Sequence, residues 1–177
     1  LDGKALHMAR YPNYDATARV YNGTAADAIS PERVKTWKNP AGGYIHALHE
    51  GEWGSQDYLI TGKKENGELT YTGGWQSNRP ASMHKQYRFV ENIFEELDAP
   101  GEWFYDYAAK TIYLYPPDGT DVKKAGFTIS QLTDLIHISG ISSKPLKNIT
   151  ISNLSFTGTA RSFMLTKEPL LRSDWTI

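Results

Sequence analysis

The chain contains no cysteine. Disulfides, zinc-thiolate centres and thiol nucleophiles are thereby excluded, and stability has to come from packing. Long hydrophobic runs are missing too, and nothing approaches the roughly 18 apolar residues of a helical membrane span. Charge of one sign is not in excess, since 19 Lys plus Arg against 20 Asp plus Glu leave a formal net charge of -1. That balance lacks the basic footprint of a general nucleic-acid binder, so neither nucleic acid nor membrane is expected as a partner. No Gly-rich phosphate cradle and no Gly-x-Ser-x-Gly elbow occurs, which leaves nucleotide chemistry and serine hydrolysis unsupported and no cofactor expected.

Aromatic side chains are plentiful. They make up 12% of 177 residues, with 11 Tyr and 5 Trp, more than core filling requires. Hydrophobic residues at 40% and charged residues at 22% are ordinary for a folded chain. The length suits one domain or two small ones. The opening Leu1-Asp2-Gly3-Lys4 shows no initiator Met and no signal peptide, and Arg172 to Ile177 stops in strand-like sequence. Both ends read as trimmed from a longer protein.

Strand patterns dominate. Ala5 to Tyr11 alternates, and Tyr44 to His49 reads as a strand. Ser30-Pro31-Glu32-Arg33 pairs an N-cap residue with proline at the first helical position, which predicts a short helix ending near Trp37. Asn66-Gly67 between two alternating runs predicts a two-residue type I′ hairpin over Asp57 to Trp75. Counting outward pairs Tyr71 with Gly62 and Trp75 with Tyr58. It places Tyr58, Ile60, Leu69, Tyr71 and Trp75 on one face, and Leu59, Thr61, Lys63, Thr70 and Thr72 on the other. Lys85 to Glu91 gives a further strand, and Asn92 with Glu95 resembles a capping box opening a short helix through Leu97. Trp103 to Tyr107 and Thr111 to Tyr115 predict a second hairpin. From Gly126 the texture shifts to short β-branched runs with Asn and Gly at the corners, the pattern of stacked β-helix coils. Two such coils do not stand alone, because about three or more are needed to bury a continuous core.

The run Phe89-Val90-Glu91-Asn92-Ile93-Phe94-Glu95-Glu96-Leu97-Asp98-Ala99-Pro100-Gly101-Glu102-Trp103-Phe104-Tyr105-Asp106, followed by Thr111-Ile112-Tyr113-Leu114-Tyr115-Pro116-Pro117, is fairly specific. It resembles right-handed parallel β-helix glycoside hydrolases, of the family 141 and family 120 kind, whose helix is interrupted by an inserted β-sandwich. Met8-Ala9-Arg10-Tyr11-Pro12-Asn13 resembles the segment leading into that insertion. The resemblance implies a secreted or periplasmic bacterial enzyme acting on plant cell-wall polysaccharide, with catalytic carboxylates on later coils. No residue of this chain matches a catalytic position. The fold expected is all-β, with a β-sandwich insertion-type domain over 1–125, including an N-terminal β-helix lead-in, and partial right-handed parallel β-helix coils over 126–177.

Glycoside hydrolysis needs two carboxyl groups at a defined separation. Glu95, Glu96, Asp98, Glu102 and Asp106 supply acids, but capping a short helix and its turns accounts for them. His46 and His49 stand three apart, a helical spacing in a segment that reads as strand, so no metal site is expected. The aromatics carry the functional lead, because a flat ring laid on the C–H face of a pyranose, with amides and carboxylates taking the hydroxyls, is how a saccharide is held. Trp37, Trp53 and Trp75 sit in polar or Gly-rich surroundings suited to such a platform, with Tyr58, Glu52 and Gln76 beside them. For Trp75, paired with Tyr58, core packing is the competing account. The expected function is a carbohydrate-binding β-domain for plant cell-wall polysaccharide or oligosaccharide, acting with the rest of a parent enzyme. The alternatives are a wall of a glycosidase catalytic unit and a purely structural insertion. Unsealed coil edges favour a homodimer.

Overall fold

The computed structural model describes residues 1–74, 82–160 and 164. Among the described residues, strands form two sheets from the segments before Pro116 that read as strands. The first is three-stranded, in the order β1-β7-β8, from β1 (His7–Met8), β7 (Glu102–Asp106) and β8 (Thr111–Leu114). The second is five-stranded, in the order β2-β6-β3-β4-β5, from β2 (Arg10–Tyr11), β3 (Tyr44–His49), β4 (Ser55–Lys63), β5 (Leu69–Gly73) and β6 (Met83–Glu91). Apart from the β1–β7 pair, every neighbouring pair in these sheets is antiparallel. Among the described residues the fold is therefore all-β, with one short helix, α1 (Pro31–Thr36), and a 3-10 turn at Phe94–Glu96.

The expected run from Ala5 to Tyr11 is split at Ala9, which passes the chain from one sheet to the other. Its N–H donates to Trp103 O in the first sheet, and its carbonyl accepts from Asn92 N at the end of β6. Asn92 makes the same crossing in the opposite direction. Its backbone is left-handed at φ 56, its Nδ2 donates to Gly42 O and Tyr105 O, and its Oδ1 accepts from Tyr105 N. The capping box expected at Asn92 and Glu95 is thus corrected. Asn92 caps no helix, and the following turn starts from Ile93 with no side-chain cap.

Helix α1 forms as its sequence predicts. Ser30 Oγ accepts from Arg33 N, and Pro31 occupies the first turn where a missing N–H is harmless. At the other end the Lys63 ammonium donates to the carbonyls of Val34, Lys35 and Trp37. A cation there satisfies carbonyls that the helix leaves unpaired.

The β4–β5 hairpin corrects the expected turn. Lys64 N donates to Glu68 O and Gly67 N to Lys64 O, with Gly67 at φ 87. This is a three-residue loop closed by a left-handed glycine instead of a two-residue type I′ turn. A Cβ at Gly67 would lie 2.6 Å from Pro31 O, so only glycine lets the loop approach α1 so closely. The register shifts between Ile60 and Gly62, and Tyr71 pairs with Ile60 while Tyr58 pairs with Gly73. The bulge brings Lys63 opposite Leu69, on the face of Tyr58 and Ile60, which corrects its expected place beside Thr61 and Thr70. Tyr58, Ile60 and Leu69 enter the core, and Thr61 and Thr70 join hydroxyls at 3.0 Å.

One face of the larger sheet and α1 enclose the core, in which Val34, Trp37, Ile45, Ala47, Tyr58, Ile60, Leu69, Val90 and Ile93 are buried together. From Gly126 to Ala160 the expected coil strands do not form among the described residues, and only an isolated bridge joins Ile141 and Lys144. Phe127, Ile129, Ile136, Ile138, Ile149, Ile151 and Phe156 lie exposed. A ladder has no hydrophobic stabilisation where its apolar side chains find no facing layer.

Candidate functional site

The site lies on the face of the large sheet that the core does not use. Alternation along β3 sends Ile45 and Ala47 inward, and therefore carries Tyr44, His46 and Leu48 to the opposite face. Register places His46 between Asp57 of β4 and Phe89 of β6. Its Nδ1 lies 2.6 Å from Asp57 Oδ1, its Nε2 lies 3.0 Å from Glu91 Oε1, and its ring stacks on Phe89 at 4.6 Å. His46 is 8% exposed. Burial disfavours the cation, but the hydrogen bonds and charges of Asp57 and Glu91 outweigh it and raise the pKa to about 9. With a carboxylate facing each nitrogen, the doubly protonated ring is the favoured form near neutral pH.

Arg10 extends this polar layer toward the surface. It pairs in register with Glu91 and lies buried over the Phe89 ring at 4.1 Å. Its guanidinium donates from Nε to Pro12 O at 2.9 Å, from both Nη atoms to Tyr21 O at 3.1 Å, and from Nη2 to Gly23 O at 2.8 Å. Residues 12–24 contain no helix or strand, so these bonds replace a ladder in fixing the loop. Gly23 is held at φ +122, and a Cβ there would meet Asn13 O at 3.1 Å.

The pinned loop forms one wall of a cleft of about 740 Å³. Asn13, Asp15, Arg19 and Thr24 line that wall, and Leu48, Glu52 and Tyr87 line the other. Glu52 and Trp53 belong to the tight turn that follows β3. His49 O accepts from Glu52 N at 2.7 Å, His49 Nδ1 accepts from Gly51 N at 2.7 Å, and His49 N donates to Gly54 O at 2.8 Å. Glu52 is left-handed at φ 58, a conformation that costs a non-glycine residue about 1 kcal/mol. Trp53, the next residue, is 66% exposed, and its indole lies parallel to the His49 ring at 5.3 Å and 11°.

The residues expected to form the platform divide. Glu52 lines the cleft and Trp53 stands beside it at the surface. Trp37 is corrected, being 0% exposed, with its indole N–H donating to Glu96 Oε1 at 2.7 Å beneath the sheet. The C-terminal end of α1 packs against the sheet, so the large side chain that closes the helix is driven into the core. Tyr58 is corrected too. It is 7% exposed, with its hydroxyl donating to Gln56 Oε1 and its ring edge-on to Tyr71. Trp75 and Gln76 lie outside the described residues.

The acids read as capping groups are engaged structurally. Glu96 pairs with Arg33 and Trp37, Glu95 accepts from Lys38 N, Glu102 accepts from Asp98 N and Ala99 N, and Asp106 accepts from Ala108 N and Ala109 N. Burial raises the pKa of Glu102 above the usual carboxylate range. Among the described residues no group of three or more His, Cys, Asp or Glu is placed to hold a metal, and no helix is long and apolar enough to cross a membrane.

Sequence reasoning missed Arg10, the Asp57–His46–Glu91 trio, and the cleft wall of Asn13, Asp15 and Arg19. A signal for the trio existed. A histidine at the centre of an otherwise apolar strand needs polar neighbours, and acids of matching parity stood on two other strand candidates. Comparison with family models, curated proteins and solved structures gives no match.

Proposed function

We propose that the chain is a carbohydrate-binding β-domain whose saccharide rests on Trp53 and extends into the cleft between the 12–24 loop and the turn after β3. The observation that carries this reading is a large indole, 66% exposed, one residue from a cleft-lining carboxylate. Its stacking on His49 presents a flat surface of fixed orientation, which lowers the entropy lost on binding. The polar groups around it, with Tyr87 and Leu48 as apolar ground, suit a ligand that alternates hydroxyl edges with C–H faces. Within this proposal the two sheets form the inserted sandwich of a secreted plant cell-wall-degrading glycoside hydrolase.

Titration with xylo-, cello- and pectic oligosaccharides in a calorimeter tests the reading. At least one series should bind in the micromolar to millimolar range, and Trp53→Ala should weaken it about tenfold, equivalent to about 1.4 kcal/mol, with Tm essentially unchanged. No heat from any series at millimolar ligand overturns it. A second variant separates binding from folding. Because Glu52 holds a left-handed backbone, Glu52→Gly should stabilise the fold by about 1 kcal/mol in urea titration. The same change should weaken saccharide binding several-fold. Strain retained where a carboxylate meets ligand is the signature of a functional position.

A further inference from the structure

Three charged side chains line the cleft, Asp15, Arg19 and Glu52. Two of them are engaged by neighbours. Asp15 Oδ1 accepts from Thr17 N at 2.8 Å and Thr17 Oγ1 at 2.6 Å. Glu52 Oε1 lies 3.6 Å from His84 Nε2. His84 Nδ1 accepts the backbone N–H groups of Gln86 and Tyr87, which leaves the ring proton on Nε2, facing Glu52. Arg19 differs. It is exposed and makes no hydrogen bond or ion pair among the described residues, although Asp15 lies only one helical-turn length away in sequence. A guanidinium is a planar fork of N–H donors whose geometry matches a carboxylate, and it is more weakly hydrated than an ammonium.

We propose that the cleft selects acidic sugars, with Arg19 clasping the carboxylate of a uronic-acid residue. Trp53 then takes the C–H face of a ring and Glu52 accepts from a hydroxyl. This rests on the saccharide reading above and adds the chemical class of the ligand. The negative charges of Asp15 and Glu52 oppose an anionic ligand, but the two effects act at different distances. A bidentate pair with Arg19 forms at contact. The opposing carboxylates are exposed, already engaged by Thr17 and His84, and screened by salt. They also exclude a ligand that presents its carboxylate elsewhere in the cleft, so they fix its orientation.

The test compares three ligands of equal length by calorimetry: oligogalacturonate, its methyl ester and a neutral xylo-oligosaccharide. Wild type should bind the free acid at least about tenfold more tightly than the ester, with a preference that shrinks as salt is raised. Arg19→Gln should abolish that preference, bringing affinity for the free acid down to that for the ester, and Arg19→Lys should restore only part of it. Equal binding of acid and ester, or a preference that survives Arg19→Gln, overturns the acidic-sugar assignment and leaves the saccharide reading standing. Absence of binding by all three ligands to wild type overturns both.

Discussion

Replacing His46 with leucine is expected to destabilise the protein by about 3 to 5 kcal/mol at pH 7, because it leaves Asp57 and Glu91 facing each other across a poorly hydrated gap with no cation between them. For a chain of this size, that is a fall in Tm on the order of 10 °C. The wild-type pH dependence gives an independent measure. His46 has a folded pKa of about 9 against the ordinary histidine value of 6.5. The folded state therefore binds the proton more tightly than the unfolded state. The associated stability is complete below about pH 6.5 and is lost as pH rises through about 9. The full amount is about 3 kcal/mol at 1.36 kcal/mol per pKa unit. Urea unfolding of wild type and His46→Leu at pH 6.5, 8 and 9.5 should show the gap between them narrowing steadily. A gap that stays constant across that range would mean that the ring is neutral throughout. The Asp57→Asn change, added to His46→Leu, should recover part of the loss, because it removes one of the two carboxylates that lose the His46 cation, while Glu91 keeps the charge of Arg10 beside it.

The arrangement behind this prediction was only half legible in the sequence. Alternation fixed which residues of β3 and β4 share a face, and Tyr58, Ile60 and Leu69 all entered the core as that alternation requires. Pairing between distant strands is set by topology, so the neighbours of His46 could not be counted out from a turn. Within the β4–β5 hairpin the counting slipped because Gly67 closes a longer loop and a bulge follows Ile60. Asn92 illustrates a different failure. Its local pattern fits a helix cap, but its side chain forms more hydrogen bonds by linking the two sheets, and tertiary structure overrides the local preference. Trp37 was misjudged because polar neighbours in sequence, Lys38 and Asn39, say nothing about the direction in which a helix-terminal side chain points. Trp53, next to Gly54 in a tight turn, is 66% exposed. Beyond Gly126 the β-branched runs predicted strands, but periodicity describes only which side chains could share a face. Whether a facing layer exists is a property of the surroundings, and Ile129, Ile141 and Leu154 lie exposed.

Arg10 joins the buried trio to the cleft, and its replacement should separate the wall's order from the sheet's. Its guanidinium reaches the carbonyls of Pro12, Tyr21 and Gly23 from one planar group, which a lysine ammonium on a flexible stem does not reproduce. Arg10→Lys should therefore strand at least one buried carbonyl and cost about 2 to 3 kcal/mol, and Arg10→Met, which also leaves Glu91 without its register partner's charge, should cost more. The loss should be local in its structural effect. Amide hydrogen exchange should accelerate at Asp15 and Gly23, whose N–H groups donate within the loop to Asn22 O and Val20 O, while Ile45 and Val90 in the core keep their protection. Saccharide affinity should fall at least about tenfold in Arg10→Lys even where the protein remains fully folded, because Asn13, Asp15 and Arg19 lose the fixed positions from which they face Glu52. A variant with an unprotected loop and undiminished affinity would place the ligand on Trp53 alone. Uniform loss of protection across loop and core would instead make Arg10 a support of the whole sheet.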